Sequence, residues 1–452
     1  MAGIVANTVP CLALALGLLV LAPVSSHAEE PSAAHEAPPA EKEKEKERNL
    51  FFWEGRVDWR LSHTVFLIAD SDANPGNRYL LLPQHSSLTS LRAEIHAGIG
   101  SQWRFVLKPR LAVRVTQTSV DGVWQTEKTS FATEFLEAYA VWRITDFLSA
   151  SYGLRHVWWS PAEALSPTNR LFHETHLVKS PTTLYRGRWL AHVTTSLRRN
   201  LTAEFMLETR PNGNIDTYAA GESFEQTGLV LLRYGFGAGS GSSHVGFVAG
   251  RGERSRPWVG EYVLWSLTDA FSVYADVSHT RGSRAWYPFE REGMLGFEQG
   301  RRHSQEVVTF AVAGMRHEVK DVVDARLEYI FNQAGYTHEE FQLAVRTVHE
   351  VAPEDPSVVD PYESPGLDVT GRAYLFLSLR IRGLGPPGKL LLHPRYVLSL
   401  TDSSGLALLG FEWQVTPTWT LFLFSGAAVG ARDQDLTRGS RAHLQVVTKF
   451  SW

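Results

Sequence analysis

The final stretch of the chain, Ala442–Trp452, reads AHLQVVTKFSW. Leu444, Val446, Thr448, Phe450 and Trp452 fall on one face of an extended segment, and His443, Gln445, Val447, Lys449 and Ser451 on the other. A period of two marks a β-strand whose two faces meet different surroundings. The same period runs back through the chain. In Gly371–Arg382, Ala373, Leu375, Leu377, Leu379 and Ile381 oppose Arg372, Tyr374, Ser378, Arg380 and Arg382. In Val323–Tyr329, Val323, Ala325, Leu327 and Tyr329 oppose Asp324, Arg326 and Glu328. Leu91–Ile99 sets Leu91, Ala93, Ile95, Ala97 and Ile99 against Arg92, Glu94 and His96, and Phe271–Ser278 repeats the arrangement.

A soluble β-sandwich alternates in the same way, so period alone does not decide. Three further features do. Arg and Glu recur on the polar face of strand after strand. Turns alternate between short, as at Ser101-Gln102, Thr145-Asp146, Arg199-Asn200, Asp269-Ala270, Gly385–Gly388 and Pro417-Thr418, and long, at 69–87, 159–187, 281–304 and 333–370. Membrane-spanning barrels have short turns on one side and long loops on the other. Trp53, Trp59, Trp142, Trp265, Trp413 and Trp419 sit near strand ends, where aromatic girdles meet the two interfaces. The expected fold is all-β: a single transmembrane antiparallel up-and-down barrel of about 18 strands. Sixteen is the alternative, should the pair 225–236 and 244–250 be miscounted.

Composition agrees. The 452 residues are 44% hydrophobic, too apolar for disorder, and the net charge of -4 argues against a nucleic-acid partner. After the N-terminus no apolar run reaches about twenty residues, which excludes helical spans. Residues 1–28 carry no charged side chain and read as a signal peptide, with an apolar run over Leu12–Val24 and small residues at Ser26 and Ala28. Residues 29–50, rich in Pro, Ala, Glu and Lys, form a disordered charged periplasmic tail, and 51–452 the barrel. The only Cys, Cys11, lies inside the signal segment, so a mature chain has no thiol chemistry and no disulfide.

The terminal strand, with its aromatic residue at the final position, resembles the C-terminal signature of Gram-negative outer-membrane proteins. That resemblance implies recognition by the barrel-assembly machinery through Trp452, with outer-membrane lipids as surroundings. Residues Tyr152–Phe172, YGLRHVWWSPAEALSPTNRLF, resemble the Gly-Arg…Trp…Asn-Pro pattern of the alginate-export family and related porin-like large barrels. The chain departs from it in having Pro-Thr-Asn where Asn-Pro is the pattern. The resemblance implies a passive, eighteen-stranded, monomeric conduit in the cell outer membrane.

A barrel of this size leaves an aqueous lumen unless loops fill it. The residues expected to line it are Arg56, Arg60, Arg92, Arg110, Arg114, Arg143, Arg326, Arg372, Arg380, Arg382, Glu94, Glu137 and Glu328. Arg and Glu on neighbouring strands can simply neutralise one another, or they can form charge rings that select solutes. Arg outnumbers Lys on this face, which favours small polar or anionic solutes, and Arg380 and Arg382 are the first residues to neutralise. On the alginate-export analogy loop 159–187 folds inward as a constriction offering Arg155 at its root and Glu163, Arg170, Glu174 and Lys179 along it; an outer loop in solvent is the plain reading.

Other clusters read as ordinary structure. Asp70–Gly76 has the opening spacing of a calcium loop but lacks its Gly and its Glu, so a turn explains it better. His173 and His176 have no third ligand in sight, so no metal and no cofactor are expected. Glu339–Glu350 fits a short amphipathic helix in the longest loop. The expected function is a pore or export conduit for small polar or anionic solutes or a polysaccharide, not an enzyme. The alternatives are an outer-membrane lipid hydrolase, for which His279 and Ser283 are candidates, and an adhesin or structural barrel.

Overall fold

The computed structural model describes residues 51–452 apart from 69, 173–176, 213–223, 238–242, 254–255, 301–305, 321, 386–388 and 438. The expected signal segment 1–28, tail 29–50, most of the 385–388 turn, and His173, Glu174 and His176 lie outside the described residues.

Eighteen antiparallel strands make one sheet that closes on itself. The wall begins with β1 (Phe51–Ile68), β2 (His85–Ile99) and β3 (Trp103–Gln117). A small hairpin, β4 (Ser119–Val120) with β5 (Val123–Trp124), stands apart from it. The wall continues through β6 (Lys128–Arg143), β7 (Leu148–Arg155), β8 (Arg188–Arg198), β9 (Leu201–Arg210) and β10 (Thr227–Phe236). Next come β11 (Ser243–Gly252), β12 (Trp258–Ser266) and β13 (Phe271–Arg281). A second separate hairpin, β14 (Trp286–Arg291) with β15 (Met294–Gln299), precedes β16 (Val307–Val319) and β17 (Val323–Asn332). β18 (Ala373–Leu384), β19 (Leu390–Ser399), β20 (Gly405–Thr416), β21 (Trp419–Val429) and β22 (Ser440–Ser451) complete it. The questioned pair, β10 with β11, is present in full register, Thr227↔Gly252 to Phe236↔Ser243. The seam is β22 against β1, from Asp58↔Ser451 to Ile68↔Ser440, and Val57 and Trp452 exchange backbone hydrogen bonds of 3.0 and 2.9 Å at its end.

The alternation sorts as expected. On β18, Leu377 is 50% exposed on the outside while Phe376 beside it is fully buried within. Leu61, Phe247, Leu409, Leu423 and Leu444 continue an exposed apolar belt around the exterior. A closed sheet leaves no backbone group without a partner in lipid, and an apolar outer belt suits hydrocarbon, so this barrel spans a membrane. Aromatic side chains gather at the short-turn end. Trp103 stacks on Trp142 at 5.5 Å, and Trp59, Phe450 and Trp419 form a stack with neighbouring centroids 5.6 and 6.0 Å apart. The Trp419 indole donates to Thr448 Oγ1 at 2.7 Å.

The long loops at the opposite end build a cap with its own core. The helix His338–Val351 starts at a capping box, in which Thr337 Oγ1 accepts from Glu340 N and the Glu340 carboxylate accepts from Thr337 N. Its apolar face, Phe341, Ala344 and Val348, packs against Tyr287, Tyr336, Val359 and Tyr362. Asp433 accepts from the backbone N of Asp72 at 3.0 Å, and Gln342 donates to the Asp433 carbonyl at 3.3 Å, so three loops interlock. Nearby, burial pushes the Asp402 carboxyl up, but bonds from Asp435 N, Ser404 Oγ and Ser404 N outweigh it and leave it below its usual range.

Leu377→Arg is expected to lower the free energy of folding into lipid vesicles by about 2–4 kcal/mol, the cost of a basic side chain facing hydrocarbon. A urea titration measures this, and an unchanged midpoint would place Leu377 outside the apolar slab.

Candidate functional site

Strand register fixes what faces inward, and most inward charges meet a partner. On β1 to β6, Glu94 receives Arg56 at 3.4 Å and Lys108 at 3.1 Å, and Lys108 also reaches Glu137 at 2.7 Å. Arg60 lies 3.3 Å from Asp58, and Arg110 pairs with Glu134. On β16 to β18, Asp324 holds Arg316 at 3.0 Å and Arg326 at 3.2 Å, while Glu318 holds Arg316 at 2.6 Å and Arg382 at 4.0 Å. Arg380 pairs with Glu163. Arg92 is different. It stands opposite Arg110 on one side and Asp58 on the other, and its Nε and one Nη are buried with no hydrogen-bond partner among the described residues. Arg114 and Arg143 are exposed near opposite ends of the barrel wall. Arg372 precedes β18 and donates to the Gly335 carbonyl at 3.1 Å, so it serves the base of the cap and not the wall.

The chain between β7 and β8 folds into the barrel. Two wall carboxylates, both 0% exposed, receive it. Glu328 on β17 accepts from the backbone N of Glu163 at 2.6 Å and of Ala164 at 2.9 Å, and from the Tyr274 hydroxyl at 2.7 Å. Asp276 on β13 accepts from Thr168 N at 2.9 Å, Thr168 Oγ1 at 3.2 Å and Ser166 Oγ at 3.1 Å. The Glu163 side chain continues to Arg326 at 3.1 Å and to Arg380 on β18, which stands halfway around the ring from β7. The return limb is held as well. Arg395 donates to the Lys179 carbonyl, Arg60 to the Pro181 carbonyl at 3.1 Å, and Gln445 to Thr182 Oγ1 at 3.1 Å. Arg186 reaches Glu134 at 3.0 Å.

Apolar contact anchors the loop as well. Trp159, Leu171 and Phe172 pack on inward side chains of β9 to β12, among them Met206, Leu231 and Val248. Ala162, Ala164 and Leu165 pack on Val312, Ile330, Phe376 and Val397. The fit is close at Gly260, where an added Cβ would come within 2.7 Å of Thr168 Cγ2. Arg170 donates to Ser278 Oγ at 3.4 Å and lies over the Trp258 ring at 5.9 Å. The Lys179 ammonium lies over the Tyr185 ring at 4.8 Å. Arg155 is a wall residue at the end of β7, donating to Ser151 Oγ at 3.0 Å and to His192 Nδ1 at 2.9 Å.

The two latching carboxylates lie on the charged face of their strands, and nothing in the sequence separates Asp276, or its acceptor role, from the ion-pairing acids. A signal existed for the apolar anchoring. Leu229–Val230–Leu231–Leu232 is apolar on both faces, which a strand between lipid and water would not be, and so implies a cover on its inner side.

The other candidates do not assemble. His279 points outward and Ser283 bonds Ala285 N and the Tyr287 hydroxyl, both at 3.1 Å, so the two do not meet. Asp70 Oδ1 accepts from Gly76 N and Asn74 Oδ1 from the backbone N of Tyr79 and Leu80, all at 3.1 Å, which is turn chemistry. Among the described residues no group of three or more His, Cys, Asp or Glu is arranged to hold a metal.

No protein-family model matches the chain, and no curated protein matches it in sequence. Solved structures match it in fold. Pseudomonas aeruginosa OccK11 (OpdR) aligns with a TM-score of 0.52 at 10% identity over 88% of this chain and 95% of its own. Pseudomonas aeruginosa OccK5 (OpdH) gives 0.51 at 8% identity over 88% and 97%. Acinetobacter baumannii OccAB1 gives 0.50 at 11% over 88% and 96%. At such identities the likeness is one of fold: a porin-like eighteen-strand barrel.

Replacing both Asp276 and Glu328 by Ala leaves buried loop N–H groups without acceptors, at about 1–3 kcal/mol each. The expected result is a loop that added protease cuts between 159 and 187 while the barrel keeps its heat-sensitive gel mobility. A loop that stays resistant would mean that apolar packing alone retains it.

Proposed function

We propose that the protein is an outer-membrane pore passing small polar, preferentially anionic solutes by passive diffusion. The observation that carries this reading is the lopsided seat of the inner loop. Its apolar side is committed to the inward faces of β9 to β13 and β16 to β19. On the sector from β20 through β22 to β3, the described contacts of the return limb are polar at Arg60, which donates to the Pro181 carbonyl, and at Gln445, which donates to Thr182 Oγ1. On and beside that sector Glu94 and Glu137 are spent on Arg56 and Lys108, and Arg60, Arg92, Arg110, Arg395 and Lys449 outnumber the remaining Asp58, Glu134 and Glu412. Guanidinium groups with unused donors, crowded by like charge and poorly solvated, favour carboxylate or phosphate groups over cations. The loop reaches the far wall, and this supports small solutes over a polysaccharide. No catalytic step is assigned to the barrel. In the same reading the exposed Trp452 beside the β22–β1 seam is the contact for the assembly machinery.

The test is single-channel conductance in a planar bilayer under a salt gradient. Steady conductance with a reversal potential of anion-preferring sign is expected. Arg92→Ser with Arg395→Ser should lower the anion-to-cation permeability ratio several-fold without closing the pore. Arg380→Gln, which removes one of the two Arg partners of Glu163, should act on open-state stability more than on selectivity. Cation preference in the unaltered protein, or no conductance from an intact barrel, would overturn the reading.

A further inference from the structure

The outer surface of β12, β13 and β16 breaks the rule that the belt is apolar. Glu261 shares its face with Val259, Val263 and Trp265, all pointing away from the lumen, and its side chain is 53% exposed. His279 lies on the outer face of β13, with Nε2 3.4 Å from Glu261 Oε1 and Nδ1 3.1 Å from Thr309 Oγ1 on β16. In the register His279 stands directly opposite Thr309, and it reaches Glu261 diagonally, His279 facing Val259 and Glu261 facing Val277. Trp265 stands at the short-turn end, four residues below Glu261. For a strand tilted by about 45° that is roughly 9 Å along the membrane normal, inside the hydrocarbon.

Lipid offers a carboxylate no hydrogen-bond donors, so an ionisable residue facing hydrocarbon marks a place where something other than acyl chains sits. The surroundings of Glu261 suit a second protein wall. Between the polar line and the larger Trp265 and Met315 towards the short-turn end, the outward residues are small: Ala275 faces Ala313 and Val277 faces Ala311 across the β13–β16 ladder. Such a surface is flat, and a facing sheet can approach it closely. The polar line carries a carboxylate and an imidazole within one patch, so a two-fold contact sets donors of one copy against acceptors of the other.

We propose that this face is the interface between two copies of this chain, with Glu261, His279 and Thr309 hydrogen-bonding across it inside the membrane. This replaces the monomer implied by the alginate-export resemblance and does not depend on the permeating solute.

Residues 12–452 contain no cysteine, so in a chain cleaved after the expected signal segment one introduced residue reports alone. Ala311→Cys, expressed in intact outer membranes and treated with a short bis-maleimide, is expected to give a dimer band, and so is Ala275→Cys. Leu423→Cys on β21 is expected to give none. Extracted in mild detergent, the unaltered protein should show dimer by native mass spectrometry, and Glu261→Leu should cut the dimer fraction at least tenfold while keeping heat-sensitive gel mobility. Failure of both cysteine variants to cross-link with the barrel folded, together with a monomeric mass, overturns the proposal. A monomer carrying a bound lipid that Glu261→Leu releases also overturns it, in favour of a lipid seat. A Glu261→Leu barrel that is monomeric like the parent and more resistant to urea would mean the face meets acyl chains alone.

Discussion

Everything in this molecule follows from the absence of water in a bilayer's core. A backbone N–H or C=O facing hydrocarbon without a partner costs several kcal/mol, and an open sheet has two rows of them. The sheet therefore has to close, and it does so where β22 lies against β1 and Val57 bonds Trp452. Closure fixes the strand number, and eighteen strands enclose more space than wall side chains can fill. The second problem, what occupies that space, is thus created by the solution of the first. The chain between β7 and β8 answers it by packing its apolar residues on one side of the wall.

The inner acids divide into two kinds that look alike in sequence. Glu94 and Asp324 neutralise guanidinium and ammonium groups within the wall. Glu328 and Asp276 take backbone N–H groups of the loop instead, together with hydroxyls. The second use suits a buried loop, whose N–H groups have no ladder to join and need acceptors brought to them. It also explains why the charge census of the lumen misleads when read strand by strand. Arg380 and Arg382 looked available from the alternation, yet each faces an acid, one from the loop and one from β16. Arg92 looked no different from them, yet it stands opposite another Arg across the ladder with its Nε and one Nη unbonded among the described residues, whereas the facing pair Arg316 and Arg326 shares Asp324. In the proposed pore, selectivity follows from the charge left after pairing, which depends on neighbours.

The strands were legible because alternation is local: residue i predicts i+2 on the same face, and lipid enforces the pattern on every strand alike. The 338–351 helix was legible for the same reason, with a capping box at its start and an apolar stripe along it. The β14–β15 hairpin was not, because it lies in a connection and follows the cap's core instead of the two-sided rule of the wall. The inward fold of the loop could be inferred only by analogy, since its anchors are far away in sequence: Glu163 and Arg380 are 217 residues apart. Long-range partners leave no periodic trace. They leave only departures from the pattern, such as the inward Leu229 and Leu231.

Those departures are the most informative positions in the chain. A barrel wall has a simple code, apolar outward and polar inward, so a residue that violates it needs a third surface to meet. Apolar side chains on the inner face of β10 to β12 meet the loop, and the account closes: each of Leu229, Leu231 and Val248 is covered. Polar side chains on the outer face of β12 to β16 violate the code in the opposite sense. Glu261 and His279 satisfy one another only in part, at 3.4 Å and with the carboxylate still exposed. The same logic that explains the inner violation calls for a cover on the outer one. The proposed second wall supplies it.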